Sequence, residues 1–127
     1  MVNSFSSSIE EGPIKVDTIV DAPNIAFGDY LSGKIYIEGP DSELRIQQIE
    51  LELIKLPGQS MDRQEVISKQ SFEMVSLIKS KETYMIPFEL IPDERWETEV
   101  DDELWLRTTV YFKNSVQLQD HDQISYE

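Results

Sequence analysis

Apolar residues recur at every second position in short blocks, and Gly, Pro, Asn and Asp separate one block from the next. A period of two puts alternate side chains on opposite faces of a strand, whereas a helix requires a period near 3.6. In the first block, residues 14–20, Ile14, Val16 and Val20 share a face, and the block stops at Asp21-Ala22-Pro23-Asn24. After a turn at Phe27-Gly28-Asp29, Leu31, Gly33, Ile35 and Ile37 alternate with Ser32, Lys34, Tyr36 and Glu38 as far as Gly39-Pro40-Asp41. These two blocks read as sequential strands around a turn. Gly28 suits a turn that needs positive φ, and Gly33 suits a strand position approached closely by another backbone or a large side chain.

The third block, residues 46–56, sets Ile49, Leu51 and Leu53 against Gln48, Glu50 and Glu52. Gln, Glu and Leu also favour helices, but the strict alternation and the stop at Pro57-Gly58 favour a strand. Residues 59–63 read as a hairpin connection. Glu65–Gln70 and Ser71–Ile78 read as two weaker, more polar strands. In residues 81–90, Tyr84, Ile86, Phe88 and Leu90 alternate with Thr83, Met85, Pro87 and Glu89, and Pro87, lacking a backbone donor, places this strand at an edge or a bulge. The β-branched and aromatic run Leu104–Phe112 reads as a central strand packed on both faces, with short strands at Val116–Leu118 and Ile124–Tyr126 completing the set.

Seven or eight short strands without a convincing helix predict an all-β fold, an antiparallel β-sandwich of immunoglobulin type. With 127 residues the chain has material for one core. We assign residues 14–127 to the sandwich and residues 1–13, Ser-rich and acidic, to a flexible N-terminal segment. There is no cysteine, so neither disulfides nor thiolate chemistry is available. The 25 acidic residues outnumber the 11 basic ones, a net charge of -14, which disfavours nucleic acid and anionic lipid surfaces; the surplus carboxylates serve first to keep the chain soluble, and steering of basic protein partners is the alternative use. No apolar run approaches the roughly 20 residues of a membrane span, and the expected location is the cytoplasm.

Several segments resemble the bacterial sporulation-control proteins of the SpoOM type. They are Val16-Asp17-Thr18, the block Gly28-Asp29-Tyr30-Leu31-Ser32-Gly33-Lys34-Ile35-Tyr36-Ile37-Glu38-Gly39, and Ile46 to Leu53. Ile86-Pro87-Phe88-Glu89-Leu90 with Pro92, Leu104-Trp105-Leu106-Arg107-Thr108, and the close formed by Val116, Asp120, Asp122 and Ile124 follow in the same order. The resemblance implies an arrestin-like sandwich and a non-enzymatic role as a cytoplasmic regulator or scaffold that binds other proteins. The chain departs from the family pattern at Phe27-Gly28 and Gly39-Pro40 and in its acidic start, and it ends where such proteins continue into a second domain. It therefore reads as a short homologue or an excised N-terminal domain.

The main acidic loop, residues 91–103, holds seven carboxylates against the single Arg95. Because loops carried on a rigid sandwich often do the recognition, Asp93, Glu94, Trp96, Glu97, Glu99, Asp101, Asp102 and Glu103 are the candidate partner-binding residues. Calcium ligation is the alternative use for these oxygens, but their spacing fits no EF-hand loop, and no metal or other cofactor is expected. Trp96 either stacks on a ligand or folds back as a plug over the core. The only histidine, His121, stands between Asp120 and Asp122 in what reads as an exposed linker near the end of the chain. Neither a nucleophile elbow nor a phosphate loop is present, so no catalytic residue is assigned. A carbohydrate-binding or calcium-stabilised sandwich using Tyr36, Trp96, Trp105 or Tyr111 remains a second possibility, and a homodimer through edge strands a third.

Overall fold

The computed structural model describes residues 14–39, 44–78, 82–113 and 116–127. The proposed flexible segment 1–13 (apart from its boundary with Ile14) and the turn residues Pro40 and Asp41 lie outside these residues. Among the described residues eight strands form two sheets: β1 (Lys15–Val20), β2 (Asn24–Ile25), β3 (Leu31–Glu38), β4 (Leu44–Leu56), β5 (Glu65–Ile78), β6 (Thr83–Leu90), β7 (Glu103–Phe112) and β8 (Gln117–Tyr126). One sheet has the order β1-β3-β6 and the other β2-β8-β7-β4-β5. Among the described residues all pairings are antiparallel except the two-residue parallel pairing of β2 with β8. No helix among the described residues is long and apolar enough to cross a membrane.

The alternation that organises the sequence becomes the division between core and solvent. Leu31, Ile35 and Ile37 on β3, Ile49, Leu51 and Leu53 on β4, and Ile86, Phe88 and Leu90 on β6 are all buried in one cluster shared by the two sheets. β3 pairs with β1 as expected, and Pro87 sits on β6, an edge strand of the smaller sheet. β7 is the middle strand of the larger sheet. Only one of its faces is core, however, because Trp105, Arg107 and Tyr111 lie half-buried on the outside.

Three segments differ from the sequence reading. The stretch between β1 and β3 is more than a turn, since Asn24–Ile25 crosses to the opposite sheet and pairs with Ser125 and Tyr126. Residues 65–78 form one strand of 14 residues instead of two. The ladder runs without a break through Gln70 and Ser71, paired with Leu51 and Glu50, and its bulges lie elsewhere, opposite Ile46/Gln48 and Leu53/Ile54; the polar character of the segment hid its continuity. Residues 117–126 are likewise one strand, with Asp120, His121 and Asp122 in its middle.

Gly33 has the close neighbours that its place in the sequence pattern implies. A Cβ there would run into the carbonyl oxygen of Ile19 and the Phe88 ring. Gly33→Ala is expected to lower stability by on the order of 2 kcal/mol, read as a shift of the urea midpoint at unchanged slope, because both neighbours are fixed within the sheet and core.

Candidate functional site

The acidic loop leaves β6 at Leu90, and its path is set by its own side chains. Asp93 accepts from the backbone N–H of Arg95 at 2.8 Å and pairs with the Arg95 guanidinium at 2.8 Å. This makes a 3-10 turn at Glu94–Trp96 and drives Trp96 inward, where it is wholly buried. Asp102 ties down the other end, accepting from Gly58 N at 3.1 Å and Glu99 N at 2.9 Å. Lys55 Nζ donates to the Glu97 carbonyl oxygen at 2.7 Å, so the loop is fastened to the end of β4 as well. Hydrogen bonds from Arg95 hold the Asp93 carboxyl below its usual range, and those from the Glu99 and Gly58 backbone do the same for Asp102.

These bonds divide the candidate partner-binding residues. Trp96 is the plug, not a ligand platform, and its removal from the surface is a correction to the candidate set. Asp93 and Asp102 shape the loop, and Glu103 accepts from Trp105 Nε1 at 3.0 Å at the start of β7. Glu94, Glu97, Glu99 and Asp101 remain exposed on the loop's outer side.

Beside the loop lies an apolar cup of about 390 Å³ that the sequence reading missed. Phe27 and Tyr30 come from the β2–β3 segment, Ile91 and Pro92 from the start of the loop, and Tyr126 from the end of β8. Phe27 packs on Tyr126 with ring centroids 5.5 Å apart, and Trp96 meets Tyr126 at 5.6 Å. The positive φ of Gly28, 91°, turns the chain so that its N–H reaches the Tyr126 hydroxyl at 2.8 Å. The Phe27-Gly28-Asp29 turn was visible in the sequence, but it takes the β3–β6 register, with Leu31 opposite Leu90, to bring it beside Ile91 and the β2–β8 pairing to bring it beside Tyr126.

A second concavity, about 360 Å³, lies on the outer face of the larger sheet. Ile54, Leu56, Met61, Trp105, Arg107 and His121 line it, with the Arg107 guanidinium held by Glu52 at 2.8 Å. His121 is therefore a half-buried strand residue, contrary to the exposed linker expected for it. Burial and the neighbouring Arg107 charge lower its pKa, which favours the neutral imidazole.

The flanking aspartates point the opposite way, into the sandwich. Asp120 Oδ2 accepts the Thr18 backbone N–H of β1 at 2.8 Å, and the Thr18 and Thr108 hydroxyls meet at 2.7 Å. This polar seam joins the two sheets. Asp122 lies on the same face, its Oδ2 buried without a hydrogen-bond partner among the described residues. Burial, then the charges of Asp120 and Asp17, push its carboxyl up to about 7.

An acid whose folded pKa exceeds its unfolded value holds its proton more tightly when folded, so its burial carries no penalty below about pH 4, and stability falls as pH rises from there to about 7. Asp122→Asn keeps the shape without the charge. Thermal unfolding between pH 4 and 8 should show a shallower loss for the variant than for the parent, and a gain at pH 8 on the order of 1 kcal/mol once solvent screening is allowed for.

Comparison with known proteins agrees with this architecture. Residues 3–127 match the family described as SpoOM protein. The sporulation control protein Spo0M of Bacillus subtilis superposes with a TM-score of 0.77 at 22% identity, over 91% of this chain and 50% of that one. The alkylpurine DNA glycosylase AlkC of Pseudomonas fluorescens gives 0.56 at 11% identity, over 90% and 30% of the two chains. A β-glucosidase of Listeria innocua gives 0.51 at 14%, over 89% and 16%. At these identities the structural likeness shows the fold alone, and the chain spans half the length of the Bacillus subtilis protein. No curated protein matches the sequence.

Proposed function

This chain belongs to the SpoOM protein family, and on that premise we propose that it is a non-enzymatic interaction module, a cytoplasmic regulator or scaffold of the sporulation-control type that binds other proteins. The observation that carries this reading is the acidic loop. It is fixed by Asp93 and Asp102 yet presents Glu94, Glu97, Glu99 and Asp101 to solvent. A loop already held in shape loses little conformational freedom on binding, and its carboxylates attract basic surfaces before contact is made. Such a reading needs no turnover. It also gives a use to the local excess of acid within a net charge of -14.

One observation favours a second reading, a ligand-binding sandwich. The groove beside Trp105 combines an aromatic face with Gln59, Gln64, Glu103 and Arg107, a mixture of apolar surface and polar groups that suits a small polar ligand such as a sugar. The two readings separate cleanly because the groove and the exposed loop carboxylates use different residues.

The test pairs the intact protein with a variant carrying Glu94→Gln, Glu97→Gln, Glu99→Gln and Asp101→Asn, which leaves Asp93 and Asp102 in place. Quantitative affinity capture, followed by titration of each captured protein in purified form, should show at least about a tenfold weaker affinity for the variant. Trp105→Ala should leave that affinity unchanged. Partners that bind both loop forms equally and lose affinity with Trp105→Ala would move binding to the groove.

A further inference from the structure

The cup beside the acidic loop has the composition of an anchor site. Phe27 is 66% exposed, Tyr30 51% and Ile91 65%, three large apolar side chains facing solvent around one concavity. Scattered exposed apolar residues need no explanation, but a contiguous set on a rigid base does. This base is rigid. Phe27 N donates to the Glu127 carbonyl oxygen at 2.6 Å, Asp29 N to the Ala26 carbonyl oxygen at 2.9 Å, and Tyr126 contacts both Phe27 and the buried Trp96.

The rim decides what can enter. Asp93, Glu94 and Glu97 line the cup, and the nearby cation, Arg95, is already paired with Asp93. An anionic rim repels a second copy of this chain, whose net charge is also -14, and it repels phosphate-bearing surfaces equally. A small cation alone would leave Phe27, Tyr30 and Ile91 uncovered. Both features are satisfied together by a positively charged peptide carrying a bulky apolar residue.

We infer that the Phe27–Tyr30–Ile91 cup is the anchor pocket of a peptide-binding site, taking one large apolar side chain flanked by lysine or arginine residues that meet Glu94 and Glu97. The inference rests on the interaction-module reading and deepens it. The apolar anchor supplies affinity that survives salt, while the rim supplies encounter rate and discrimination against acidic segments.

Fluorescence polarisation with two labelled lysine-rich peptides, identical except for a central phenylalanine or serine, tests it at about 150 mM salt. The phenylalanine peptide should bind at least about tenfold more tightly. That advantage should vanish in a Phe27→Ser/Ile91→Ser variant, whose altered side chains are exposed and whose fold is checked by its circular dichroism. Trp105→Ala should preserve the advantage. Equal binding of the two peptides, or an advantage that survives the double substitution, overturns the anchor pocket. If partner capture still depends on the loop carboxylates in that case, the module reading stands without the cup, and if it does not, both fail.

Discussion

The hydrogen bond from the Thr18 backbone to the Asp120 carboxylate is the constraint that ties the first strand of one sheet to the last strand of the other. β1 is the edge of the smaller sheet, and among the described residues no strand pairs with its outer side. A buried donor left without an acceptor costs about 1–3 kcal/mol, so the carboxylate answers a real demand. With the meeting of Thr18 and Thr108 it also fixes how β8 lies against β1. A slip of one residue would turn Asp120 out of the sandwich and bring His121 in. The same register places Ser125 and Tyr126 where β2 pairs with them, and Tyr126 is the base of the cup.

Much of this was legible in the residues. Alternation in β1, β3, β4 and β6 identified the core faces, and Pro87, Gly28 and Gly33 each announced a local geometry that the structure has. Two of the failures, in β5 and β8, share one cause, a broken pattern. Where a strand carries polar residues on its inner face, as β8 does with Asp120 and Asp122, hydrophobic alternation disappears and the segment reads as a linker. Polar residues did the same to β5, whose ladder in fact runs unbroken through Gln70 and Ser71. The cup was hidden for another reason: its walls come from Phe27 and Ile91, far apart in the sequence, and only the fold brings them together.

The acidic loop was found from charge alone, but charge did not reveal its internal division of labour. Asp93 and Asp102 are consumed in shaping the backbone, Glu103 in holding Trp105, and Trp96 in filling the core, which leaves Glu94, Glu97, Glu99 and Asp101 exposed on the loop. The chain belongs to the SpoOM protein family, and its role as an interaction module is proposed on that premise. The shape of this end of the sandwich, an aromatic cup behind a fixed anionic rim, is the basis for proposing how such a module would hold its partner.

The two tryptophans allow one direct measurement, because Trp96 lies behind the cup and Trp105 lines the groove on the other surface. Titrating the nitrogen-15-labelled protein with the lysine-rich phenylalanine peptide resolves the two indole N–H resonances separately. The account predicts that the Trp96 resonance and the backbone signals of Phe27, Tyr30 and Ile91 shift together while Trp105 stays still. A shift confined to Trp105 and His121 would contradict it and assign binding to the groove.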